Sequence, residues 1–193
     1  MPSFFPWQYA VLAVVLVCAS VTDVRSGKIP NWATAPAIGV GLLGHSLLWL
    51  LVDGYGDQFG LTPLGALAGL VAGLVPMFVA WKLGGVGAGD AKLMAAVGAL
   101  AGWRFALATM FYGFAIAAVM AIVVMLSRRV AVETFKRVGR TLMLMLGPNK
   151  PGSPAGESSP TIPLGLALAL GAAGALVEVL LVGPKAAKLA LGF

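Results

Sequence analysis

Asp23 and Asp90 are the residues in this sequence whose type and setting point to chemistry. Asp90 ends the run Gly84-Gly85-Val86-Gly87-Ala88-Gly89-Asp90, which places a carboxylate after four glycines in a chain with seven acidic residues in all. Apolar runs lie on both sides of it, and an acid in or beside a membrane is costly enough to call for a functional reason. Glycines let the backbone bend sharply and let another segment come close. Asp23 is the first acid in the chain, and the turn-forming Gly27-Lys28-Ile29-Pro30-Asn31 follows it. If the two carboxylates meet, both cannot ionise, so they share a proton. The ionised partner then takes a proton from water, and the protonated partner donates to a peptide carbonyl oxygen, which is the chemistry of an aspartic protease. Three other readings use the same residues. The acids could cap helix ends, they could form the cation or proton site of a small ion-coupled transporter or channel, or the chain could be a non-catalytic subunit of a secretion assembly.

The composition dictates what must hold these acids. With 60% hydrophobic and 10% charged residues, the chain does not read as a soluble domain. The predicted fold is all-α and polytopic, a single membrane domain over residues 1–193. About six spans are expected, over 4–22, 33–52, 61–83, 90–103, 105–126 and 161–183, most of them long enough to cross a bilayer. A basic, amphipathic segment over 128–146 is expected to lie on the inner leaflet, followed by a mobile Gly/Pro/Ser-rich loop over 147–160. Gly65, Gly69 and Gly73 recur every four residues, a spacing that lets a neighbouring helix pack closely. Pro76 is expected to kink that helix.

Charge sets the orientation. With both termini outside, ten lysines and arginines fall on the cytoplasmic side and Arg104, Lys185 and Lys188 fall outside. Basic residues beside apolar runs argue for membrane topology and not for nucleic-acid binding. Asp23 follows the first crossing and Asp90 the third, so both emerge on the same side. At ~1.5 Å per residue, counting from Trp7 and Trp103 places Asp23 roughly 6 Å and Asp90 roughly 10 Å inside the inner boundary of a ~30 Å core. The lone Cys18 reads as a small buried hydrophobe, His45 as a neutral packing residue and Glu178 as an interfacial or packing acid. No cluster of ligands suggests a metal or cofactor.

Several of these segments resemble one family. Gly87-Ala88-Gly89-Asp90, continued by Ala91-Lys92-Leu93, resembles the GxGD motif of the type IV prepilin peptidases, which are membrane aspartic proteases. Thr22-Asp23 with Ile29-Pro30-Asn31 is similar to the family's first-aspartate segment, and Thr161-Ile162-Pro163-Leu164-Gly165 to the start of its last helix. The resemblance implies that Asp23 and Asp90 are the catalytic pair, with Gly87, Gly89, Lys92, Ile29, Pro30 and Asn31 supporting them. It implies a metal-free endopeptidase in the prokaryotic cytoplasmic membrane, cutting the leader from a prepilin-like membrane protein on the cytoplasmic side, with pilus or secretion assembly components as neighbours. Larger members carry two CxxC pairs and methylate the new N-terminus. This chain has one cysteine and a short loop in that place, so it resembles the short branch associated with tight-adherence pili and the similar archaeal preflagellin peptidases, and methylation is not expected.

The predicted orientation can be tested by labelling. A cysteine placed in the 53–60 loop should react with a membrane-impermeant thiol reagent from outside, and one placed in 147–160 should not. The reverse pattern would turn the site away from the cytoplasm.

Overall fold

The computed structural model describes residues 7–55, 61–127 and 163–190, and every regular element among them is helical. The elements are α1 (Trp7–Ser26), α2 (Asn31–Leu51), α3 (Pro63–Lys82), α4 (Ala88–Ser127) and α5 (Leu164–Ala190). All five are long and apolar enough to cross a membrane. The chain forms two compact units, one of Met1–Ile116 with Pro163–Phe193 and one of Ala117–Ile162. The expected amphipathic segment over 128–146 and the loop over 147–160 lie outside the described residues, as does the start of the first expected span.

Helix ends follow local chemistry. Gly27 (φ 62°) stops α1, and its N–H donates to the carbonyl of Asp23 at 2.8 Å. This is the left-handed cap that an L side chain adopts only with strain. The helix thus runs one turn further than the sequence reading placed it, and Asp23 lies within its last turn. Thr62 caps α3 by accepting the Gly65 N–H at 3.0 Å, with Pro63 in the first turn. Pro76 lies within α3, which continues across it. The sequence reading places two spans over 90–103 and 105–126. In the structure α4 is two helical arms that meet at Gly102 (φ 86°, ψ 170°), a backbone conformation open to glycine.

The N-terminal arm of α4, residues 88–101, is the core of the larger unit. Every residue from Leu93 to Leu100 is buried, as befits a helix apolar all round. Backbones meet here almost without side chains between them. A methyl group on Gly69 would collide with the Gly98 carbonyl oxygen, one on Gly98 with the Gly69 carbonyl oxygen, and one on Gly73 with the Met94 carbonyl oxygen. The close face expected of the α3 glycines is thus made by Gly69 and Gly73, while Gly65 serves the helix cap instead. On another side, a methyl on Gly41 of α2 would stand 2.8 Å from the Ala99 carbonyl. Large apolar side chains point outward, among them Leu181 (80% exposed), Leu50 (76%) and Phe111 (73%). A surface this apolar suits lipid and not water.

His45 is fully buried in a closed chain of hydrogen bonds. Its Nε2 lies 3.0 Å from the Leu100 carbonyl oxygen, so that nitrogen carries the proton and donates. Its Nδ1 then accepts from the Tyr55 hydroxyl at 3.1 Å, and that oxygen accepts from the Trp7 indole N–H at 3.1 Å. The neutral tautomer satisfies every partner, which makes His45 the packing residue expected. Glu178 accepts from the Tyr112 hydroxyl at 2.8 Å and links α5 to α4.

Stability should report the glycine contacts directly. Gly98→Ala pushes a methyl into a backbone that cannot rotate away, so it should cost about 1–3 kcal/mol or more. Gly39→Ala, where nothing lies within 4 Å of the added carbon, should be nearly neutral. Thermal unfolding in detergent measures both, and equal melting temperatures would refute the close packing of α3 on α4.

Candidate active site

The two aspartates, on separate helices, share Ile29 as a neighbour of their surroundings. Asp90 is the third residue of α4 and 8% exposed. Its Oδ2 accepts the Gly87 N–H at 3.1 Å, reaching back one turn to the residue that precedes the helix. This is the return half of a capping box, and it satisfies an N–H that the helix leaves open. Gly87 fits because a methyl there would stand 3.0 Å from that same oxygen.

Asp23 is half-buried in the last turn of α1, yet its partners come from the far end of the chain. Its Oδ2 accepts the Gly165 N–H at 2.8 Å and the Leu166 N–H at 3.4 Å. Those groups open α5, so a carboxylate meets the positive end of a helix dipole. Such a contact is worth about 0.5–2 kcal/mol. Both acids therefore cap a helix N-terminus through Oδ2. Among the described residues, no hydrogen bond is made to Oδ1 of either, which leaves that oxygen of each for another partner.

Ile29 joins the two halves. A methyl on Gly89, next to Asp90, would lie 3.0 Å from Ile29 Cβ and 3.4 Å from its backbone nitrogen. A methyl on Gly165 would lie 2.9 Å from Ile29 Cδ1 and equally 2.9 Å from Asp23 Oδ2. Ile29 thus packs against the glycine beside each carboxylate. Pro30 (φ −75°, ψ 139°) holds the chain extended before α2 begins at Asn31. The Asn31 Oδ1 accepts from Lys92 Nζ at 2.8 Å. Every residue singled out from the sequence, namely Asp23, Asp90, Gly87, Gly89, Ile29, Pro30, Asn31 and Lys92, lies in this one contiguous network.

The sequence reading missed the donors of α5. Gly165 and Leu166 act through main-chain N–H groups, which leave no mark in side-chain type. The available signal was Pro163 just ahead of an apolar run, since proline there announces a helix N-terminus and helix N-termini attract carboxylates. The helix-cap and paired-acid readings also prove compatible, because each acid caps with one oxygen only. Among the described residues, no group of three or more His, Cys, Asp or Glu side chains could hold a metal ion.

Comparison with known proteins identifies a family. No curated protein and no solved structure gives a significant match. A family model, the type IV leader peptidase family, matches residues 10–122, a stretch that contains both aspartates and the Gly27–Asn31 connection. On that match, which covers more than half of the chain, this protein belongs to the type IV leader peptidase family.

Proposed function

We propose that this protein is an aspartic endopeptidase that removes the leader of a type IV prepilin-like membrane protein, with Asp23 and Asp90 as its catalytic pair. The observation that carries the reading is that two carboxylates from separate helices enter one network through Ile29 and each keep one oxygen out of the helix caps. Water attacks the scissile carbonyl carbon while the ionised carboxyl group takes a water proton and the protonated one donates to the carbonyl oxygen. Collapse of the tetrahedral intermediate breaks the C–N bond: the protonated carboxyl gives its proton to the departing amine, and the ionised one takes back a hydroxyl proton as the carbonyl re-forms. The pair ends with one proton, as it began.

The site works at the cytoplasmic face of a prokaryotic cytoplasmic membrane, where the substrate's basic leader meets its hydrophobic helix. The bilayer is the enzyme's surrounding and pilus or secretion components are its neighbours, and the reaction uses no metal, cofactor or nucleic acid. Leader removal is the whole reaction, without N-methylation. An ion-coupled transporter would use the same acids, but the leader peptidase match favours hydrolysis.

Purified protein and a prepilin-like substrate test this. Asp23→Asn and Asp90→Asn should each lower kcat by about a thousandfold or more while the protein stays folded in the membrane, because neither acid does the other's work. Near-normal cleavage by either variant would refute the pair. Cleavage should persist in EDTA, and loss of activity restored by one divalent ion would replace this mechanism with a metal-assisted one.

Two further outcomes probe the pair itself. The rate should be bell-shaped in pH, since acid protonates the base and alkali removes the proton from the acid. A rate that rises steadily to alkaline pH would indicate a single base. Gly165→Ala should damage cleavage more than thermal stability, because its methyl displaces Asp23 Oδ2 or Ile29 Cδ1, both only 2.9 Å away. Unchanged kcat in that variant would show that the Asp23 cap does not matter to the reaction.

A further inference from the structure

The Gly27–Asn31 connection is anchored at two points. At its start, Gly27 closes α1 with a left-handed cap on the Asp23 carbonyl. At its end, Asn31 opens α2 and receives the hydrogen bond from Lys92. Pro30 occupies the N-cap position and makes no side-chain cap, so no local hydrogen bond from that side chain ties down the start of α2. Ile29 sits between the two anchors and touches the glycine beside each carboxylate. Lys92 follows Asp90 by two residues, about 200° around the helix, so its side chain leaves α4 on a different face from the carboxylate. It is exposed, unlike its neighbours Ala91 and Leu93.

We infer that Lys92 is a positioning residue that acts through Asn31: by tying the start of α2 to α4 it presses Ile29 onto Gly89 and so sets Asp90 against Asp23. A snorkelling lysine would need no particular partner. The bond to Asn31 gives this one a partner on another helix, 61 residues away in sequence and one residue from Pro30. Asn31 offers its amide oxygen as acceptor and adds no charge beside the two acids. Ile29 is backed on one side by the backbone at Gly89 and on the other by Gly165, so slack at Asn31 passes to both carboxylates. A displacement of about 1 Å at reacting groups is enough to cost up to about a hundredfold in rate.

This inference rests on the proposed peptidase activity, and a double-mutant cycle separates the two. Cleavage of a prepilin-like substrate is measured for the wild type, Lys92→Ala, Asn31→Ala and the double variant, with membrane insertion and thermal unfolding recorded for each. Both single variants should lower kcat by about ten- to a hundredfold with KM within about twofold, and the double variant should be no worse than either. Lys92→Arg, which keeps a cationic donor, should recover part of the loss. If the alanine variants fail to insert, Lys92→Gln and Asn31→Ser, whose shorter side chain falls short of Lys92, are measured in their place and should fall between the wild type and a null enzyme in kcat alone. A wild type that cuts no prepilin-like substrate would overturn the peptidase reading itself. A wild type that cuts, with Asn31→Ala fully active or with losses that multiply in the double variant, would overturn the positioning role alone. A rise in KM with kcat unchanged would make Lys92 a substrate contact and overturn it equally.

Discussion

The contact between the Asp23 carboxylate and the N-terminus of α5 is the constraint on which the site depends. It joins the first helix to the last across 142 residues of sequence and fixes Asp23 at a helix dipole's positive end. Gly165 can serve there because it has no side chain. A methyl would occupy the space taken by Asp23 Oδ2 and Ile29 Cδ1 together. From that point the network runs through Ile29 to Gly89 and Asp90, and from Asn31 to Lys92. The residues around the two acids are therefore not a row of independent contributors. They are successive contacts in one path between two carboxylates.

The rest of the fold keeps that path rigid. The arm of α4 that carries Asp90 is buried from Leu93 to Leu100, and glycines bring α2 and α3 to its backbone. Rigid packing of this kind transmits small shifts instead of absorbing them. At the far end of the arm, the His45 chain to Tyr55 and Trp7 ties Leu100 to α2 and α1 beside the break at Gly102. The arm is thus held at both ends by polar contacts and along its middle by close backbone packing. Asp90, on the first turn of such an element, is held with precision without resting on a loop.

Much of this was legible in the sequence, for identifiable reasons. Composition and apolar run length announced a helical membrane protein, because bilayer thickness limits element length. The glycine spacing in α3 predicted a close helix contact, although Gly65 turned out to belong to a cap. Asp23 and Asp90 stood out because acids are rare among apolar runs. Two features were not legible. The left-handed φ of Gly102, where the two arms of α4 meet, is one, since a glycine in a membrane helix does not announce its φ angle. The α5 donors to Asp23 are main-chain groups, and a contact of that separation follows from tertiary packing alone.

The central claim is that Asp23 and Asp90 of one chain act as a single catalytic unit. It can be tested by reconstituting Asp23→Asn protein together with Asp90→Asn protein in the same liposomes and measuring cleavage of a prepilin-like substrate. The account predicts that the mixture stays as inactive as either variant alone, because each chain lacks one member of its own pair. Restored cleavage in the mixture would place the working pair across two chains and contradict it.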